Sequence, residues 1–401
     1  MKKFLSFFLT LVMMFGSVTL ISSAVSDIGH SLQFRKDGSF KILQLPDIQD
    51  ALYLRPLTKM FIKDLLDRTQ PDLVVLTGDN IGPYNAHFKW TNKLLIGTFM
   101  KIFEERGAKV AIVFGNHDAE NKLSKDEQFA VYQEYSCFIG EETEEAKALS
   151  GCGTYNLPIM SSEDDSKTAF NLWMFDSQEY NEENDLGGYG CVQKDQIEWY
   201  EKTEKALAEE NGGKPVPSLA FQHIIIPEIW DVLLKTGKAD ENGEIISTTD
   251  DYVKEYSVVK NDTVYTLPEK YRGEDSFLSE TPCPPEYGNG QVQSMIKNGN
   301  VLGIAVGHDH KNSFVIPYEG VDIIQTPTVG FGSYGDENRG ARLITLNEKN
   351  LSEYETDVIF FRDYYTTDDK AFNYRVIANS DAYSVKERLW SLAKWMFYSI
   401  F

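Results

Sequence analysis

The feature that most constrains this chain is a local design that recurs along it: a short, wholly apolar run that stops at glycine or proline and hands over to a polar side chain. Leu73-Val74-Val75-Leu76 ends in Thr77-Gly78-Asp79, and Val110-Ala111-Ile112-Val113-Phe114 ends in Gly115-Asn116. A run with no polar face predicts a strand buried on both sides, as parallel strands are. Phe40 to Leu45 is a third such run. The helical spacing of Met60, Phe61, Leu65 and Leu66 predicts an amphipathic helix from Leu57 to Arg68. Further apolar runs at 169–175, 218–221, 301–306, 320–324 and 341–346 extend the alternation. The pattern predicts an α/β fold, and such sheets present ligands at the carboxyl ends of their strands.

Five polar clusters fall at those predicted ends: Asp47-Ile48-Gln49, Gly78-Asp79-Asn80, Gly115-Asn116-His117-Asp118, Gln222-His223 and Gly307-His308-Asp309-His310. Singly, each is weak. A lone Asp after a strand is commonly a helix cap, and a lone buried His is commonly a hydrogen-bonded core residue. Together they set two Asp, one Asn and three His on successive strand ends. Two divalent cations about 3.5–4 Å apart need a bridging carboxylate to offset their repulsion, with imidazoles and an amide oxygen completing each shell. A water shared by such a pair is acidified to hydroxide and can attack phosphorus in line, so the reaction requires no protein nucleophile.

In this order, D-x-(H/Q), G-D, G-N-H-D, H and G-H-x-H, the clusters resemble the calcineurin-like metallophosphoesterase superfamily, and more narrowly its purple-acid-phosphatase-related branch with plant and fungal members. The similarity extends to Phe40–Leu45, Gly115–Glu120 (GNHDAE), Thr154–Leu157, Phe175-Asp176-Ser177, Phe221-Gln222-His223 with Pro227-Glu228, and Gly307–Asn312 (GHDHKN), and it spans residues 38 to 346. The resemblance implies two packed mixed β-sheets flanked by helices, a four-layer sandwich. It also implies roles: Asp47 and His310 at a first metal, Asp79 bridging both, and Asn116, His223 and His308 at the second. His117 would stand beside the leaving group as proton donor or electrostatic stabiliser, or else support Asp47 or Asp79 by a hydrogen bond. Asn116 and His117 would also meet the substrate. Asp118 has two readings, orienting His117 or capping the following helix.

The sequence departs from the family at Gln49, where most members carry a ligating His. Gln49 offers an amide oxygen, a harder and weaker donor than imidazole, which tilts the first site, among Mn, Mg, Fe, Zn or Ca, towards Mn²⁺, Mg²⁺ or Ca²⁺ and away from tight zinc. The tyrosinate ligand of true purple acid phosphatases would fall at Gly82, with Tyr84 two residues beyond, which argues against a purple ferric centre. The loop Gly330–Gly335 with Arg339 and Arg342 reads either as an ordinary glycine-rich turn or as a substrate contact.

Residues 1–24, with Lys2, Lys3, an apolar stretch and Ser22-Ser23-Ala24, read as a signal peptide rather than an uncleaved anchor, so the expected product is secreted, extracellular or periplasmic, with no stable membrane partner. Export permits disulfides among Cys137, Cys152, Cys191 and Cys283, and Cys137–Cys152, closing a short polar segment, is the pairing expected. Residues 25–350 form the expected catalytic domain and 351–401 a C-terminal extension packed on it. The stretches 141–150 and 235–280 read as polar surface insertions. The formal charge is −22, which excludes nucleic acid as a partner, since no basic stripe is present to neutralise a phosphate backbone. The expected function is hydrolysis of small phosphate mono- or diesters with two divalent cations. The alternative is a catalytically weak relative that keeps the scaffold as a binding or surface protein.

Overall fold

The computed structural model describes residues 31–50, 52–82, 88–180, 188–364 and 385–398. The expected leader, its cleavage near Val25 and Tyr84 lie outside the described residues.

Two sheets carry the fold. In the five-stranded sheet the order is 350–360, 340–347, 39–45, 73–77 and 109–113. Its strands 39–45, 73–77 and 109–113 run parallel in a register that sets Leu76 beside both Leu45 and Ile112. In-step pairing makes the strands end level, so Asp47, Asp79 and Asn116 emerge at one edge. The eight-stranded sheet is ordered 32–33, 155–160, 168–174, 218–221, 301–306, 321–325, 312–318 and 277–278. There Phe221 pairs with Ala305 and Gln325 with Val306, which brings His223, His308 and His310 to the corresponding edge.

The sheets pack face to face through Ile42, Phe170, Leu172, Leu219 and Ala305, all in one apolar cluster. The same cluster takes in Phe61, Ile62, Leu65 and Leu66 of the helix Pro56–Thr69, which opens with Pro at its first turn and ends at Gln70 in the left-handed region. A second cluster joins the far face of the larger sheet to Ile197, Trp199 and Tyr200 of helix Lys194–Glu210 and to Val292 and Met295 of helix Gln291–Asn298. The layering is therefore helix, sheet, sheet, helix, the four-layer sandwich. Every residue of Leu73–Thr77 is buried, as a strand covered on both faces requires.

Four expectations are corrected. The stretch 235–280 is not a plain polar insertion: the strands 234–239, 245–248, 257–260 and 263–266 form a separate antiparallel sheet. Its strands are only four to six residues long and their apolar residues are too few and too irregularly placed for period-two patterning to stand out from a charged loop. Residues 351–360 are not an extension packed on the domain. They belong to the edge strand Asn350–Phe360, hydrogen-bonded along Gly340–Asn347. The helix Val385–Tyr398 leaves Leu389, Trp390, Met396 and Phe397 exposed. The four cysteines are free. Cys137 is buried with its thiol on the Met100 carbonyl, while Cys152 is held through its N–H by Asp176, and each thiol sits in its own surroundings. No helix among the described residues is long and apolar enough to cross a membrane.

Candidate metal centre

The strand ends are stitched to one another before any side chain is considered. The N–H of Asp47 donates to Gly78 O, that of Gln49 to Asp79 O, and that of Gly307 to His223 O. Such crossings force the chain into unusual conformations. Asp47, Gln49, Asp79 and His308 all have positive φ, between 42° and 72°. Each left-handed residue costs about 1–3 kcal/mol, and strain of this kind persists where the surroundings over-determine it, characteristically at functional sites. Gly78 shows how tight the construction is: it has φ +84°, and a Cβ there would lie 2.5 Å from His223 Nδ1.

Asp47, Asp79 and His223 present ligand atoms all within 4.8 Å of one another, and all three are buried. His223 Nε2 is 3.4 Å from Asp79 Oδ2. His310 Nε2 is 3.4 Å from Asp47 Oδ1. His308 Nδ1 stands 3.2 Å from His223 Nε2. Gln49 lies against the same carboxylate, its Nε2 donating to Asp79 Oδ2 at 3.2 Å. The N–H of His117 donates to Asp79 Oδ1 at 2.8 Å, so the Gly115–His117 turn wraps the central carboxylate. The structure thus gathers Asp47, Gln49, Asp79, His223, His308 and His310 into one cluster. Asn116 adjoins it, its Nδ2 donating to Tyr180 OH at 3.2 Å.

Two imidazoles are held in the orientation a cation needs. His223 Nδ1 donates to Thr77 O at 2.9 Å and His310 Nδ1 to Tyr334 O at 2.8 Å. A carbonyl only accepts, so the proton sits on Nδ1 and Nε2 is turned inward. Tyr334 also stacks on the His310 ring, centroids 4.0 Å apart.

The donor set fits divalent cations on a further observation. Asp47 Oδ1, Gln49 Oε1 and Asn116 Oδ1 are buried oxygens without a hydrogen-bond partner. Buried oxygens are ordinarily satisfied, and three orphans around one carboxylate are what a pair of hard cations would occupy. Without cations the cluster balances its own charge. Burial alone would lower His223, but Asp79 and Asp47 override it and hold the imidazole up at about 10. Burial would raise Asp79, yet His223 beside it holds the carboxyl well below its ordinary value. His308, buried and next to the His223 cation, is pushed well below the ordinary histidine value.

Asp118 takes neither of its expected roles. Its carboxylate accepts the N–H of Ile81 at 3.0 Å, of Gly115 at 2.9 Å and of Asn80 at 3.3 Å, bracing the two loops that carry Asp79 and Asn116. Burial, then Asp79, raises its pKa to about 7. The helix that follows is capped by Ser124 instead, in a capping box with Glu127. Arg339 and Arg342 are buried and structural: Arg339 donates to Ser333 O, and Arg342 to Thr326 Oγ1 and Gln325 O.

Sequence reasoning missed two groups. Glu120 Oε2 lies 3.1 Å from His117 Nδ1, and Glu120 Oε1 accepts from Tyr180 OH at 2.8 Å. The spacing of three between His117 and Glu120 was the available signal. Tyr189 meets the His308 ring edge-on, centroids 4.3 Å apart, and had no signal in the sequence. The Phe175-Asp176-Ser177 motif is a brace rather than a ligand: Ser177 Oγ accepts the N–H of Ile224, next to His223.

The family model for calcineurin-like phosphoesterases matches residues 40–312. Two Arabidopsis thaliana proteins are similar over most of their length: "probable inactive purple acid phosphatase 29", 25% identical over 80% of this chain and 81% of its own, and "probable inactive purple acid phosphatase 28", 27% identical over 78% and 76%. A dimetal phosphatase from Danio rerio aligns in structure with a TM-score of 0.46 at 13% identity, covering 80% of this chain and 98% of its own. With the family model spanning well over half of the sequence, the chain belongs to the calcineurin-like phosphoesterases.

Proposed function

We propose that the chain is an exported phosphoesterase that hydrolyses mono- or diesters of phosphate at the Asp47–Asp79–His223 cluster, with Asp47, Gln49, Asp79 and His310 holding one divalent cation and Asp79, Asn116, His223 and His308 the other. The observation that carries this reading is the trio of orphaned oxygens on Asp47, Gln49 and Asn116 around the buried Asp79. When bound, the cations would supply charge neutralisation for the phosphate oxygens and acidify the attacking water.

The chain's own residues would do the rest. His117 is the least buried of the four cluster histidines, 29% exposed, with Nε2 4.0 Å from Asp79 Oδ2. It faces outward from the carboxylate and is placed to give a proton to the departing alkoxide. Glu120 Oε2, against Nδ1, steadies the ring in that position. Water adds its oxygen to phosphorus, the ester P–O bond breaks, and the alcohol leaves with the proton from His117. Gln49, with an amide oxygen in place of imidazole, favours Mn²⁺, Mg²⁺ or Ca²⁺ at the first position.

The experiment is metal analysis of the purified protein, followed by hydrolysis of an aryl phosphate and an aryl phosphodiester with each cation in turn. Two cations per chain and activity with Mn²⁺ or Mg²⁺ are expected, and Asp79→Asn should lower metal affinity by more than about 100-fold and abolish turnover. Gln49→His should raise zinc affinity. A wild type inactive with every cation and rescued by Gln49→His would replace this reading with that of a catalytically weak binding protein. Asp79→Asn with two cations and ordinary turnover would remove Asp79 from the bridge.

A further inference from the structure

Beside the cluster lies a cleft of about 530 Å³ whose wall includes Asn116, Glu120, Glu179, Tyr180, Tyr189 and Tyr287. It is continuous with the site, because Asn116 belongs to both and Tyr180 and Tyr189 connect it to Asn116 and His308. An ester whose phosphate sits on the cations would project its alcohol part into this space.

The chemistry of the wall is one-sided. Tyr180 and Tyr189 stack, with ring centroids 5.7 Å apart, and Tyr287 is partly exposed. The two carboxylates differ. Glu179 is tied to Lys125 at 2.6 Å, and Lys125 also holds Asp176, so that group of three remains net negative. Glu120 faces His117 Nδ1 and Tyr180 OH. No lysine or arginine is among the described residues that line the cleft. A second phosphate or a carboxylate on the alcohol would find no partner here and would be repelled, and a plain alkyl group would desolvate a polar wall. A small ammonium group would meet both ring faces and carboxylate charge, the combination that binds alkylammonium ions.

Resting on the phosphoesterase reading above, we propose that this cleft receives the alcohol part of the ester and selects phosphate esters of cationic alcohols, those bearing a quaternary or primary ammonium. The shared chemistry is a positive nitrogen three bonds beyond the ester oxygen.

The test uses the full-length protein with its preferred cation and compares kcat/KM for choline phosphate with that for 3,3-dimethylbutyl phosphate, which has the same shape without the charge, alongside 4-nitrophenyl phosphate. The choline ester should be preferred by about tenfold or more, the range of one cation–π and carboxylate contact. Glu120→Gln and Tyr287→Leu should each bring that ratio towards one. Reading the ratio within each variant cancels any general loss of turnover. Calorimetric titration with choline, against 3,3-dimethylbutanol, gives a second readout independent of catalysis. A ratio near one in a wild type that cleaves 4-nitrophenyl phosphate overturns the cationic-alcohol proposal and leaves the phosphoesterase reading intact. If no ester is cleaved with any cation, the phosphoesterase reading falls and the titration decides the cleft: preferential binding of choline, weakened by Tyr287→Leu, supports a cation site, and equal binding of the two alcohols overturns it.

Discussion

Lys125 offers a sharp test of how the loops around the cluster are held. It is the first residue of the helix Lys125–Tyr132, where a cation opposes the helix dipole, and its side chain is only 6% exposed. It is kept there by Asp176, whose oxygens lie 3.0 and 2.9 Å from Nζ, and by Glu179 at 2.6 Å. Burial alone would lower the lysine pKa, but these two carboxylates raise it above its ordinary value, so it is charged throughout the working range. Lys125→Met keeps the aliphatic stem and deletes the charge. Glu179, at 32% exposure, can turn to water, whereas Asp176 is fully buried and would retain only the N–H donors of Cys152 and Gln178, both at 2.9 Å. Leaving one partner of a buried pair uncompensated costs about 3–5 kcal/mol, a large part of a typical stability of about 5–15 kcal/mol. The assay is urea unfolding followed by tyrosine and tryptophan fluorescence. Pairing Lys125→Met with Asp176→Asn should recover at least half of the loss, because the stranded charge is gone. A single variant destabilised by less than about 1 kcal/mol, the range of an exposed ion pair, or a double variant no better than the single, would refute the reasoning.

Two further outcomes follow from the metal-free cluster and from the cysteines. Since Asp79 and Asp47 hold His223 at about 10 without cations, the imidazole is protonated at neutral pH and must release that proton to bind metal. Metal affinity should therefore rise with pH through the neutral range, with proton release seen as a buffer-dependent heat in calorimetry. An affinity independent of pH between about 6 and 8, the range in which an ordinary histidine loses its proton, would show that His223 does not ligate. The protein should carry four free thiols, with Cys137 and Cys152 closed to a thiol reagent until denaturant is added, because both are buried and burial pushes the Cys137 thiol up to about 12. A change of intact mass on reduction, indicating a bridge, would contradict this.

The sequence by itself determined the main buried strands and the candidate ligand set. A strand buried on both faces must be written as an unbroken apolar run, and a run that ends in glycine followed by Asp, Asn or His leaves few other uses for those residues. Asp47, Asp79, His223, His308 and His310 were legible for that reason, and the structure gathers all of them where the edges of the two sheets meet. Gln49 was legible as a departure, but only the fold shows its amide oxygen buried, unpartnered and beside Asp79. What the tertiary structure alone decided depends on contacts between segments far apart in the chain. Asp118 braces two loops instead of serving His117, Lys125 is neutralised by residues about fifty positions away, and Tyr180 and Tyr189 meet Asn116 and His308 from another loop. The small sheet within 234–266 escaped notice because strands of four to six residues carry too little periodicity, and their pairing is settled by neighbours. The free cysteines belong here as well: spacing suggested a bridge, but a disulfide requires two side chains to face one another, and only packing decides which way a buried thiol points.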